Sequence, residues 1–186
     1  MDDITGTFRL GPDSGRVVIK TGRVGLAARA GHDLTLELTR WSATVTVPGE
    51  DGGGVAAASV TAELDLGSLA ASEGTGGAMP LTDRDRREIE STARRILGAG
   101  QARFTSTRIV PAASGGAVEG TLTINGQARP ARLQLTSPAP GRYLGTATVR
   151  QTDFGIKPYS GFFGALKLKD EVVVEVEADL TRAARE

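Results

Sequence analysis

The sequence predicts a mainly β, antiparallel fold, a closed barrel or a sandwich, with one inserted α-helix. Three observations carry that prediction. Apolar and polar residues alternate with period two along much of the chain, turn-forming residues separate those runs, and a single segment changes to a helical period.

The alternation is regular. "LTLEL" sets Leu34, Leu36 and Leu38 on one face, with Thr35 and Glu37 on the other. "WSATVTV" does the same with Trp41, Ala43, Val45 and Val47, "VTAELDL" with Val60, Ala62, Leu64 and Leu66, and "VEVEADL" with Val174, Val176, Ala178 and Leu180. Neighbouring side chains of a strand point to opposite faces, so each run has one dry and one wet face, as antiparallel sheets do. "TINGQA" carries the Asn-Gly pair of a two-residue type I′ hairpin, joining strands near 117–124 and 127–136. "PGEDGGG" and "VPAASGGA" read as further inter-strand loops, and the strand candidates number about eight to ten.

The exception is "LTDRDRREIESTARRILG". Ile89, Ala93, Ile96 and Leu97 fall at i, i+4, i+7 and i+8, one stripe of a helix over about 82–97. Thr82 suits the N-cap with Asp85 three residues on, and Gly98 suits a left-handed C′ position. The arginines are expected to point away from the stripe, on a solvated face with carboxylates spaced for ion pairs.

The inward residues of the strands are a few Leu and Ile, but largely Val, Ala, Gly and Thr. An eight-stranded barrel is just wide enough to be filled by its own side chains or to hold one ligand, and small inward residues favour the ligand.

The 186 residues suffice for one domain spanning 1–186. Lys plus Arg equals Asp plus Glu, at 22 each, which argues against a nucleic-acid partner. Cysteine is absent, which excludes disulfides, thiolate nucleophiles and thiolate-held zinc. "MDDITGTFRL" has acids where a signal peptide needs positive charge, and no apolar run reaches a membrane-spanning length. These features give the expectation of a soluble, cytoplasmic protein without a transmembrane segment. They leave a homodimer and transient membrane contact open.

Catalytic motifs are weak. "DFG" at 153–155 lacks every other protein-kinase element. "EGTGGAMPLTDRD" lacks the lysine of a phosphate loop, and Asp83 and Asp85 would repel an anion. His32, the only histidine, has no marked triad or metal partners, and Asp33 beside it points to the opposite strand face. No catalytic residue, metal ligand or cofactor is expected. The aromatic residues are distributed unevenly: of eight in the chain, Phe154, Tyr159, Phe162 and Phe163 fall within ten residues of "TDFGIKPYSGFFGALKLKD".

Several segments together resemble the YceI family of lipid-binding, lipocalin-like proteins, in the family's order. They are "FRLGPDSGRVVIKT", "GHDLTLELTRWSATVTV", "VTAELDLGSLA", "LTDRDRREIESTARRILGAGQARFTSTRI", "VEGTLTINGQARPARLQL" and "DFGIKPYSGFFGALKLKDEVVVEVEADL". The fifth is similar to the family's most recognisable hairpin, Gly-x-Leu-Thr-Ile-x-Gly. Two features depart: the proline that commonly precedes the phenylalanine of "GAGQARF" is missing, and so is the secretory signal of exported members.

The resemblance implies an antiparallel up-and-down, lipocalin-like β-barrel of about eight strands, whose elongated interior binds an isoprenoid-type or other long-chain lipid, such as an isoprenoid quinone or a prenyl phosphate, without catalysis. On this reading the ligand-binding residues are Val17, Ile19, His32, Leu34, Leu36, Phe104, Leu122, Ile124 and Leu133, with Phe154, Ile156, Lys157, Tyr159, Phe162 and Phe163 from the aromatic loop. The Phe residues serve equally as cavity wall or as core plug, whereas Tyr159 and Lys157 would meet a polar or anionic headgroup. Two alternatives stay open. One is a solid-core barrel acting as a protein-interaction module, and the other is a hydrolase or isomerase using His32 with a nearby carboxylate.

Overall fold

In a computed structural model the described residues are 4–98 and 100–186, the side chain of Phe162 excepted. The first half of the chain forms β1 (Gly6–Leu10), β2 (Gly15–Lys20), β3 (Arg23–Val24), β4 (Asp33–Leu38), β5 (Trp41–Val47), β6 (Ser59–Asp65), β7 (Leu69–Thr75) and α1 (Asp83–Leu97). The second half forms β8 (Gln101–Ala112), β9 (Gly115–Ile124), β10 (Gln127–Ala139), β11 (Arg142–Arg150), β12 (Ser160–Gly161), β13 (Leu166–Leu168), β14 (Glu171–Asp179) and β15 (Ala184–Arg185).

Twelve strands make one antiparallel sheet in the order β15-β1-β5-β6-β8-β9-β10-β11-β14-β2-β4-β7, and β12, β13 and β3 make a small second sheet. The expected eight is therefore too low. The excess lies partly in strands of two or three residues, too short to show any period.

The order of strands requires the sheet to curl. β1 and β2 stand far apart in the ladder yet are joined through the four residues 11–14. β4 and β5 lie near opposite ends of it yet are joined through Thr39 and Arg40 alone. Ser68 ties that corner, accepting the Arg40 N–H on its hydroxyl at 3.0 Å and the Thr39 hydroxyl on its carbonyl at 2.9 Å. Register shifts in β8 between Ser106 and Arg108, and in β10 between Thr136 and Ala139, bend the strands further.

Helix α1 begins as the sequence predicts: the Thr82 hydroxyl accepts the Asp85 N–H at 3.2 Å, and the Asp85 carboxylate accepts the Thr82 N–H at 2.8 Å. Its C-terminus differs. Gly98 has φ 64 but ψ −162, positive yet extended, so the left-handed cap is not formed. The arginines do not all point away either. Arg86 donates to the carbonyls of Ala71 and Ser72, at 2.6 and 2.7 Å, while Glu90 accepts the Ala71 N–H at 3.1 Å. The helix thus satisfies backbone groups of β7, an end strand of the ladder that would otherwise present them unpaired. Among the described residues no helix side chain joins an ion pair; the ten pairs present are cross-strand or loop contacts such as Arg16–Glu37 and Arg142–Asp179.

Core residues include Phe8, Leu38, Leu66, Leu69 and Ala102, yet among the described residues no large side chain falls below 2% exposure. Solid interiors seal several large side chains completely. Here the sheet wraps around space. No helix of the described residues is long and apolar enough to cross a membrane.

Candidate functional site

The curled sheet surrounds a partly open cavity of about 360 Å³. Its wall is built by the period-two rule, one residue from every second position. β5 contributes Trp41, Ala43, Val45 and Val47, β6 Val60, Ala62 and Leu64, β11 Tyr143, Gly145, Ala147 and Val149, and β14 Val172, Val174, Val176 and Ala178. β8 keeps its wall across a change of parity: Ala102 and Phe104 face in before the register shift and Ile109 after it. α1 closes one side with Ala93, Ile96 and Leu97. Side chains with polar groups on the wall are few: Thr21, Arg132, Gln151, Trp41 and the two tyrosines, Tyr143 and Tyr159. Such a wall can bind an apolar chain by excluding water from it and offers almost nothing to a sugar, nucleotide or peptide.

Of the residues expected from the sequence, Val17, Ile19, Leu36, Phe104, Leu122, Ile124, Leu133, Ile156 and Tyr159 line this cavity. His32, Leu34, Phe154, Lys157 and Phe163 do not. The side chain of Phe162 lies outside the described residues. Phe154 is buried in the core on the short helical turn Gln151–Phe154. Leu34 packs against the outside of that core. The His32 ring lies under residues 76–79, with Nε2 2.7 Å from the Met79 carbonyl and so close to Gly77 that a side chain there would overlap it. It does not line the barrel cavity. Among the described residues no group of three His, Cys, Asp or Glu is placed to hold a metal ion.

The segment 151–170 forms a rim. Gln151 N–H donates to the Asp170 carbonyl at 3.0 Å, and Thr152 N–H to the Asp170 carboxylate at 2.9 Å, so its two ends are clasped. The Thr152 hydroxyl, also donating to that carboxylate, holds the Asp170 carboxyl below its ordinary range. Tyr159 leans over Gly161, where a side chain would meet its hydroxyl. A second, wetter hollow of about 540 Å³ lies outside, lined by Lys157, Ser160, Phe163 and Lys167 among others. It shares Tyr159 and Leu168 with the apolar cavity, so these two residues stand between them. The polar wall groups Thr21, Arg132, Tyr143 and Gln151 were not anticipated. For Tyr143 the signal was present, because "YLGTATV" alternates as clearly as the other strands.

A family model described as the YceI-like domain matches residues 8–180. The chain belongs to the YceI family. Burkholderia cenocepacia BcnA resembles it in structure with a TM-score of 0.59 at 17% identity, over 88% of this chain and 94% of BcnA. A mutant Campylobacter jejuni YCEI protein, solved with a monobromobimane guest, gives a TM-score of 0.50 at 13% identity, over 81% of this chain and 85% of its own. At such identities the likeness shows the fold alone. No curated protein matches the sequence.

Proposed function

We propose that this YceI-family protein is a non-enzymatic binder and carrier of a long-chain isoprenoid-type lipid, an isoprenoid quinone or a prenyl phosphate, held in the barrel. The observation that carries the reading is the hollow, almost wholly apolar interior, whose wall holds many Leu and Ile beside the Val and Ala, more than the few expected from the sequence. Each buried methylene contributes about 0.8 kcal/mol, so a long chain gains affinity with few polar contacts. The headgroup would lie toward Tyr159 and Lys157, where the apolar cavity adjoins the wetter hollow. A solid-core interaction module fits this interior poorly, and a His32-dependent enzyme fits the placement of His32 outside the cavity no better.

Trp41, the only tryptophan, is on the cavity wall and reports occupancy by its fluorescence. Native mass spectrometry of protein purified from its own host, followed by lipid extraction, is expected to show adducts spaced as an isoprenoid series. Quinone or prenyl phosphate added to lipid-free protein is expected to change Trp41 emission saturably. A clean mass, with no response to either lipid, would overturn the reading.

A further inference from the structure

The small sheet beside the cavity rim carries two large apolar side chains with no protein neighbours. Leu26 is 101% exposed and Phe163 is 111% exposed. They lie on adjoining loops: β3 pairs with β13, and the Ala27 N–H, one residue past Leu26, donates to the carbonyl of Ala165, two residues past Phe163. Phe163 also has φ 54 and ψ 33, a left-handed conformation unfavourable for a bulky residue. Its ring is therefore held outward against both its backbone preference and the hydrophobic effect, a combination that marks a contact surface.

The charge around these tips is equally distinct. Three of the four lysines of the chain, Lys157, Lys167 and Lys169, lie within this segment, and Arg29 is on the neighbouring loop. All four are exposed, and none joins an ion pair among the described residues, whereas many basic side chains on the barrel strands are paired across strands. Of the nearby carboxylates, Asp33 accepts the Arg23 N–H and Asp170 is held by Thr152, while Asp153, at the start of the segment, is exposed and joins no ion pair among the described residues.

We propose that this face docks on an anionic membrane surface, with Leu26 and Phe163 inserted at headgroup depth and Arg29, Lys157, Lys167 and Lys169 against anionic headgroups. Single apolar tips among long, unpaired cations suit a fluid interface. A protein partner would call for a contiguous apolar centre and few lysines. That the contact serves loading of the cavity from the bilayer rests on the cargo reading above; the contact itself does not.

The test is flotation of purified protein with phosphatidylcholine vesicles, with or without about one-third phosphatidylglycerol. Wild type is expected to float with the anionic vesicles only and to release as salt rises, since screening weakens such attraction. Arg29→Gln with Lys169→Gln, neither of which lines the cavity, is expected to lower partitioning about fivefold per residue removed. Leu26→Ser with Phe163→Ser is expected to abolish it with the melting temperature unchanged, because neither side chain packs on the core. Absence of flotation, equal flotation with neutral vesicles, or flotation unchanged in both variants would overturn the proposal. So would self-association that disappears in the serine variant without vesicle binding, which would identify a contact between copies. Vesicle binding with a clean native mass and no Trp41 response to added lipid would instead overturn the cargo reading and leave the docking surface standing.

Discussion

Gly145 and Gly120 both lie where a neighbouring strand comes close, yet they predict opposite tolerances. A Cβ on Gly145 would sit 2.9 Å from Leu133 Cγ, and Leu133 borders empty space into which it can turn. A Cβ on Gly120 would sit 2.4 Å from the Thr105 carbonyl oxygen and 2.6 Å from the Phe104 ring, and a sheet carbonyl cannot step aside without losing its ladder. Gly120→Ala is therefore expected to lower unfolding free energy by about 1–3 kcal/mol, and Gly145→Ala by less than half as much. Urea denaturation followed through Trp41 measures both, and equal losses would mean that the wall at Leu133 is packed rather than free. The family resemblance names Leu133 as a wall residue. The different fates of the two glycines could not be read from the sequence, since each depends on which atoms another strand brings opposite.

For the elements, α1 is more than a lid. Arg86 and Glu90 supply hydrogen bonds that the backbone of β7 lacks as an end strand of the ladder. Arg86→Met leaves two part-buried carbonyls without that donor, and is expected to cost about 1–3 kcal/mol and to promote association through the uncovered edge. Thr82→Ala removes only the cap, at about 1 kcal/mol, and leaves the edge covered. Thermal melts with size-exclusion chromatography separate these outcomes; a monomeric Arg86→Met protein as stable as Thr82→Ala would show that the edge needs no cover. The rim clasp adds a pH dependence. The Asp170 carboxyl is held low, chiefly by the Thr152 hydroxyl, so the folded form binds its proton less readily than the unfolded chain. Its stabilisation is present above the ordinary carboxylate range and is lost as pH falls through the lowered value. Amide protection in residues 151–170, measured against intrinsic exchange, is expected to fall below about pH 4 in wild type, and to be low already at neutral pH in Asp170→Ala. The sequence stripe showed where α1 packs and its cap showed where it starts. The duty of Arg86 was illegible, because no period records which strand lies at the end of a ladder. The shift of parity in β8 was hidden for a related reason: one extra residue at 106–108 moves the inward set from Phe104 to Ile109, and only the partner strand shows it.

The whole molecule is best described as a curled sheet around a partly open apolar cavity, and that has a consequence for pressure. A void of about 360 Å³ per molecule corresponds to roughly 200 mL/mol, above the ~20–100 mL/mol by which small proteins usually contract on unfolding. A wall so poor in hydrogen-bonding groups does not hold ordered water, so much of that volume is free to disappear when the chain opens. The lipid-free protein is therefore expected to unfold at lower pressure, and with a larger volume decrease, than solid-core domains of its size. Filling the cavity removes the void from the folded state, and binding adds mass-action stabilisation that grows with the ratio of free lipid to Kd. Prenyl phosphate or quinone should accordingly both raise the transition pressure and shrink the volume change. A ligand bound only at the outer hollow of Lys157 and Lys167 would raise the transition pressure alone. High-pressure fluorescence of Trp41 reads both quantities in one titration. A volume change that stays constant while the transition pressure rises would move the lipid from the barrel to its rim.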